Sequence, residues 1–233
     1  MSKLFASYSV NEYSIYALKI LSDNFVYIIS KNNAAILIDA GEAKPILNFL
    51  SDNHLKLQQI LITHDHLDHT GGCLELQNKL GVSSRSPGTQ EEKVSFLDTT
   101  CQILATPGHT AVHKSFYFPE LNVIFTGDVL INGACGRLLG GTIDQLYKSL
   151  KLISNLPNTV QIFGGHDYLE ENLRFASYIM PSNRAIKNRQ YLYKKNKADA
   201  LFVNLKEELK TNPFMLCESK DELSVLRKRK DVF

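Results

Sequence analysis

Thr63-His64-Asp65-His66-Leu67-Asp68-His69-Thr70-Gly71-Gly72 is the stretch on which the reading of this chain turns. Three of the seven histidines fall within six residues there, with two aspartates among them. The stretch follows an apolar run, residues 57–63, that reads as a buried strand, and it precedes a helical pattern that carries Cys73, Leu76 and Leu80 and stops at Gly81. Histidines at i and i+2 in an extended turn can face one metal ion, and Asp68 and His69 would then face another. Imidazole and carboxylate suit zinc, iron or manganese.

Three further apolar runs end the same way. Residues 103–106 lead into Pro107-Gly108-His109, residues 121–126 into Gly127-Asp128, and residues 160–163 into Gly164-Gly165-His166. Glycine beside a ligand lets the backbone turn sharply, and sites in sheet proteins gather beyond strand carboxyl ends. One site can therefore collect His64, His66, Asp68, His69, His109, Asp128 and His166, although they span about a hundred positions. Five histidines and two aspartates exceed the roughly four ligands of one zinc ion. They suit two divalent ions that share a carboxylate, an arrangement used for hydrolysis. His54 and His113 stand apart and read as packed or surface side chains.

The 233 residues, 44% hydrophobic and 21% charged, indicate an ordinary globular chain and exclude a disordered one. A formal charge of +2 is too balanced for a protein that grips nucleic acid through overall charge. No apolar run reaches the roughly 18–20 residues of a membrane span, and no signal peptide is expected. Four scattered cysteines form no C-x-x-C pair, so a reducing, cytoplasmic setting is expected.

Along the chain, residues 15–21, 25–30 and 34–40 read as a strand meander, followed by a helix over 45–54. Residues 82–100 are rich in Ser, Gly and Pro. Residues 115–118 and 121–126 read as a hairpin, 144–153 as a helix and 160–163 as a strand. After Tyr168 the strand signals stop. Helical spacing covers 169–180, then 186–193 and 202–209, and Ser219 with Glu222 fits a capping box that opens a last helix through Lys230. Residues 1–168 are expected to form a catalytic domain and 169–233 a small helical subdomain.

These motifs, with Thr106-Pro107-Gly108-His109-Thr110 and Gly165-His166-Asp167-Tyr168, resemble the metallo-β-lactamase superfamily. Within it, Asp23-Asn24-Phe25, Gly133-Ala134-Cys135-Gly136-Arg137, Asn212-Pro213-Phe214-Met215 and a basic C-terminal helix resemble the glyoxalase II (hydroxyacylglutathione hydrolase) family. The resemblance implies an α+β fold, the αβ/βα four-layer sandwich, with a small C-terminal helical subdomain. It implies that His64, His66 and His109 bind one ion, that Asp68, His69 and His166 bind a second, and that Asp128 bridges them. Asp68 and Asp128 are then the catalytic carboxylates, and zinc is the expected metal, with iron or manganese as alternatives. The implied reaction is hydrolysis of S-D-lactoylglutathione, a small-molecule substrate, by a monomer without nucleic-acid or membrane partners. Arg137, Tyr168, Arg227 and Lys230 match the family's glutathione-binding positions. Many members carry Lys in place of Arg137, and some carry Tyr in place of Leu139.

The last helix also reads without the family. Leu223, Leu226, Arg227 and Lys230 share one face by their i, i+3, i+4, i+7 spacing, while Lys228 and Arg229 splay outward. Two other activities of the superfamily, a glutathione persulfide dioxygenase and a lactonase-like hydrolase, are the rival readings.

Overall fold

The apolar runs and turn residues at the start of the chain build a meander. In a computed structural model, which describes residues 4–85 and 93–233, β1 (Leu4–Val10), β2 (Tyr13–Ile20), β3 (Asn24–Lys31) and β4 (Ala34–Ile38) pair antiparallel in sequence order. Asn11 and Asn32 hold the connecting turns at positive φ, which asparagine tolerates. β1 was not among the expected strands. Its residues are mostly exposed, so it lacks the apolar alternation that betrays a half-buried strand.

Helix α1 (Ala43–Asp52) then carries the chain back to β5 (Lys56–Leu61), which lies parallel to β4. A parallel pair requires such a crossover. A second crossover holds the short α2 (Leu67–Thr70) and α3 (Cys73–Leu80) and returns to β6 (Ser83–Arg85), parallel to β5. The histidine-rich stretch thus lies in a crossover beyond the carboxyl end of β5, where open α/β sheets place their sites. Ile46, Phe49 and Leu50 of α1 and Leu76 of α3 bury against Leu18, Ile28, Leu37 and Ile60 of the six-stranded sheet. Leu80, expected on the same face as Leu76, is 40% exposed in the last turn of α3.

Of the Ser/Gly/Pro-rich stretch, residues 86–92 lie outside the described residues. A second sheet has the order β11-β10-β9-β8-β7. Its strands are β7 (Lys93–Phe96), β8 (Thr99–Ala105), β9 (Lys114–Phe118), β10 (Val123–Gly127) and β11 (Gln161–Gly164), the last parallel to β10. Helix α4 (Ile143–Ser154) makes that crossover and starts on a complete capping box of Thr142 and Gln145.

Helices α5 (Leu169–Ile179), α6 (Arg184–Lys195), α7 (Lys197–Leu201), α8 (Leu205–Thr211) and α9 (Lys220–Asp231) follow. The single helix expected over 202–209 is interrupted. Val203 accepts a backbone hydrogen bond from Ile162 of β11 at 3.0 Å, and Asn204 caps α8 through Glu207. Ser219 caps α9, but Glu222 reaches back to the Glu218 N–H and not to that of Ser219. The chain divides into two compact units, Met1–Ile103 with Phe116–Leu121, and Leu104–Ser115 with Asn122–Phe233. Among the described residues no helix is long and apolar enough to cross a membrane.

Candidate metal centre

His64, His66, Asp68 and His69 belong to the first unit. His64 and His66 occupy the loop after β5, and Asp68 and His69 lie in α2. The backbone there is pressed close to the end of β4: a Cβ on Gly41 would lie 1.9 Å from the Asp68 carbonyl oxygen. Asp39, 3% exposed, organises the group. Its carboxylate accepts the Thr63 N–H at 2.8 Å, the Thr63 hydroxyl at 2.9 Å, and His69 Nδ1–H at 2.8 Å.

These bonds fix the imidazole tautomers. A carboxylate accepts only, so His69 carries a proton on Nδ1, and in the neutral imidazole Nε2 is then a lone pair. The Thr63 hydroxyl proton goes to Asp39, so its oxygen accepts from His64 Nδ1 at 3.1 Å, and His64 Nε2 is likewise a lone pair. That lone pair lies 3.0 Å from His66 Nδ1. Two imidazole nitrogens at that distance require a proton or a cation between them. Asn24 Nδ2 donates to Asp68 Oδ2 at 2.7 Å, and the same oxygen lies 3.4 Å from His69 Nε2.

The second unit carries His109, Asp128 and His166. His109 Nδ1 lies 2.8 Å from the Arg137 carbonyl, which can only accept, so its Nε2 also presents a lone pair. Asp128 Oδ2 lies 3.1 Å from His166 Nε2 and 3.7 Å from His109 Nε2. His113 is buried, as expected of a packed residue, but its ring does more than fill space. Nε2 accepts the Asp128 N–H at 3.2 Å, so Nδ1–H donates to Thr106 Oγ1 at 3.0 Å, and the Thr106 and Ser115 hydroxyls are hydrogen-bonded to each other at 2.9 Å. Tyr168, 39% exposed, stacks on His166 with centroids 4.7 Å apart.

Histidines and aspartates of this set form groups that could hold a metal ion. The donor chemistry fits divalent cations, because internal acceptors occupy Nδ1 of His64, His69 and His109 and turn Nε2 outward as a ligand. Such outer partners orient imidazole ligands and raise their basicity. Asp39 and His113 were not among the sequence-derived site residues. Asp39 follows an apolar strand and precedes Gly41, the pattern that marked the candidate ligands, but it is a lone acid. His113 carried no local signal.

The basic positions also lie in the second unit. α9 buries Leu223, Leu226, Arg227 and Lys230 and exposes Lys228 and Arg229, the face its spacing predicts. Arg227 and Lys230 meet different partners. Arg227 Nη1 donates to the Cys135 carbonyl at 2.6 Å and Nη2 to Asp231 at 3.1 Å, with the guanidinium over the Phe214 ring. Lys230 donates to Glu171 at 2.9 Å and lies over Phe175. Burial pulls the Lys230 ammonium below its ordinary pKa despite Glu171, and the Lys230 hydrogen bond holds the Glu171 carboxyl below its own. Exposed Arg137 sits 3.5 Å from Asp231, and Arg137, Leu139, Ser224, Arg227, Lys228 and Asp231 line a depression of about 270 Å³. Burial pushes the Cys135 thiol up to about 11 against the opposing pull of Arg227, which leaves it a poor nucleophile.

A metallo-β-lactamase superfamily model matches residues 21–96 and 88–166, and one described as the hydroxyacylglutathione hydrolase C-terminus matches residues 167–233. A hydroxyacylglutathione hydrolase of Prochlorococcus marinus (strain MIT 9211) is 33% identical, over 94% of this chain and 96% of the relative. One of Legionella pneumophila (strain Lens) is 35% identical, over 87% and 85%. The crystal structure of ETHE1 from Myxococcus xanthus is 22% identical and covers 97% of this chain and 90% of its own, with a TM-score of 0.68. That likeness shows the metallo-β-lactamase fold, with two mixed sheets and a C-terminal helical region.

Proposed function

We infer that this chain, which belongs to the hydroxyacylglutathione hydrolase family of the metallo-β-lactamase superfamily, hydrolyses S-D-lactoylglutathione to D-lactate and glutathione. The observation that carries the reading is the match along both parts of the chain, the histidine-rich region and the helical C-terminal region alike. In this reading His64, His66 and His109 take one ion, Asp68, His69 and His166 take the other, and Asp128 serves both. Two zinc ions suit this donor set, and iron or manganese would suit it as well. When bound, such ions supply an activated water at neutral pH and Lewis acidity toward the thioester carbonyl.

The chain's own residues do the rest. Asp39, Thr63 and the Arg137 carbonyl keep the imidazoles in the ligand tautomer. Asn24 holds one oxygen of Asp68, which leaves the other to orient the attacking water. His113 holds the backbone of Asp128. Tyr168, stacked on His166, presents its hydroxyl to the glutathione part. The depression beside α9 offers Arg137 and Arg227 to a glutathione carboxylate, with Asp231 pairing both in its absence. Lys230 adds positive charge to the same helix. The thiolate that leaves is a stable one, its parent thiol having a pKa of about 8.5, so no strong general acid is needed.

Residues 169–233 act in this reading as the substrate-binding part and residues 1–168 as the catalytic part. Four free cysteines, three of them buried, support a reducing cytoplasmic setting, and the enzyme works as a monomer on a small molecule. Loss of thioester absorbance with S-D-lactoylglutathione, measured beside bulk metal analysis, tests the reading. Fewer than two ions per chain at full activity would sink the dinuclear assignment. No turnover of the metal-loaded protein would sink the substrate.

A further inference from the structure

The segment Gly133–Arg137 ends in the carbonyl that sets the His109 tautomer, and three consecutive residues before that end are tied to the helical region. The Gly133 N–H donates to Glu208 Oε1. The Ala134 carbonyl accepts Asn212 Nδ2 at 3.2 Å, and the same nitrogen donates to Glu208 Oε1 at 2.8 Å. The Cys135 carbonyl accepts Arg227 Nη1 at 2.6 Å. Glu208 and Asn212 are fully buried, and Glu208 is paired at 2.7 Å with the equally buried Arg189. Arg189 in turn holds Thr211 at 2.7 Å and the Ala200 carbonyl at 2.9 Å.

The far end of the segment has no slack. A Cβ on Gly136 would lie 2.1 Å from the Asp128 carbonyl oxygen and 2.9 Å from His109 Nδ1. One residue on, the Arg137 carbonyl meets that Nδ1 at 2.8 Å. A shift of Gly133 or Ala134 is therefore passed along a short backbone segment, held tightly at Gly136, to the acceptor of His109.

We propose that Asn212 and Glu208 are positioning residues for the metal ligand His109, acting through the Gly133–Arg137 backbone. The inference rests on the reading of His109 as a ligand. It gives the Asn212-Pro213-Phe214-Met215 motif a task that substrate binding does not require of it. A buried charged pair supplies a rigid anchor, because moving either partner would strand the other charge. Asn212 translates that anchor into the position of a backbone carbonyl two strapped residues from Gly136.

Asn212→Ser is the cleaner variant. A serine hydroxyl can still accept the Phe214 N–H that Asn212 Oδ1 accepts at 3.0 Å, so the local turn survives while both donated bonds disappear. Glu208→Gln is the second variant. The full-length protein, stripped of metal by a chelator, is titrated with cobalt(II), whose absorption reports ligand geometry, and folding is checked by circular dichroism. Asn212→Ser should weaken cobalt binding at one of the two ions by about tenfold and change its absorption band. It should lower kcat while leaving KM nearly unchanged. Lys151→Ala, which removes a 2.8 Å bond to the Cys217 carbonyl in the same region without touching the segment, should lower Tm and leave cobalt binding alone. His109→Ala isolates the underlying reading: if it binds two cobalt ions like the wild type, His109 is no ligand. If His109→Ala loses an ion but folded Asn212→Ser or Glu208→Gln keeps the wild-type spectrum and affinity, the strap itself is overturned. Equal weakening by Lys151→Ala overturns it too, because the effect would then be general loosening.

Discussion

Asp39→Asn should weaken metal binding without touching a ligand. Asp39 stands at φ 60, a conformation that asparagine tolerates and alanine resists by roughly 1–2 kcal/mol, so asparagine isolates the chemistry from the strain. With Oδ1 kept as an acceptor, the 2.8 Å bond from the Thr63 N–H survives. The new amide then stands in place of Oδ2, which accepts His69 Nδ1 at 2.8 Å and the Thr63 hydroxyl at 2.9 Å. An NH₂ group cannot accept either bond. His69 must move its proton to Nε2, where it blocks the ligand lone pair, or leave Nδ1–H facing a donor. Thr63 must turn its hydroxyl, which disturbs its acceptance of His64 Nδ1. Outer partners of this kind are worth about 10–100-fold in metal affinity, or roughly 1.4–2.8 kcal/mol. Competition against a chromophoric chelator measures it, with activity at saturating zinc measured in parallel. Two ions bound at wild-type affinity by a folded Asp39→Asn protein would refute the tautomer reasoning.

Stripping the metal should lower Tm by roughly 10 °C, since ligand held at about 1,000 times its Kd stabilises by about 4 kcal/mol and a chain of this size responds by about 2–4 °C per kcal/mol; an unchanged Tm after chelation would count against a resident ion. Changing Arg227 to Ala should reduce kcat/KM for S-D-lactoylglutathione by at least about tenfold, from one charge-assisted contact of about 1.5–3 kcal/mol. Arg229→Ala, exposed on the same helix and outside the depression beside α9, should be nearly silent, and an equal loss there would show that Arg227 makes no specific substrate contact. Lys230 holds the Glu171 pKa down, so the stability Glu171 contributes is present above its unfolded pKa of about 4.5 and is lost as pH falls through its lower folded value. Lys230 has the opposite sense: burial lowers its pKa, so its cost at neutral pH is relieved as pH rises through the folded value toward 10.5. The Tm difference between wild type and Glu171→Gln should therefore shrink on acidification, and a difference independent of pH between 3 and 7 would contradict the pairing.

The candidate metal ligands of this protein are a local signal. His64, His66, Asp68 and His69 fall within one turn, and His109, Asp128 and His166 each follow an apolar strand with a glycine beside them, so residue type and spacing alone expose them. The buried face of α9 is equally local, because helical periodicity decides which residues share a side. β1 escaped notice because a mostly exposed strand carries no alternation, and the break before α8 because Val203 bonds to Ile162, a partner 41 positions away.

What an inward-facing group meets is decided only when the chain closes on itself. The His69 tautomer depends on Asp39, thirty residues earlier; that of His109 depends on a carbonyl 28 residues later. Arg227 and Lys230 share one helix face, yet one reaches Cys135 and the other Glu171. Hydrogen bonds act over about 3 Å and are blind to separation along the chain. Periodicity can therefore say that a side chain is buried, while its partner, its protonation and its direction belong to the tertiary structure.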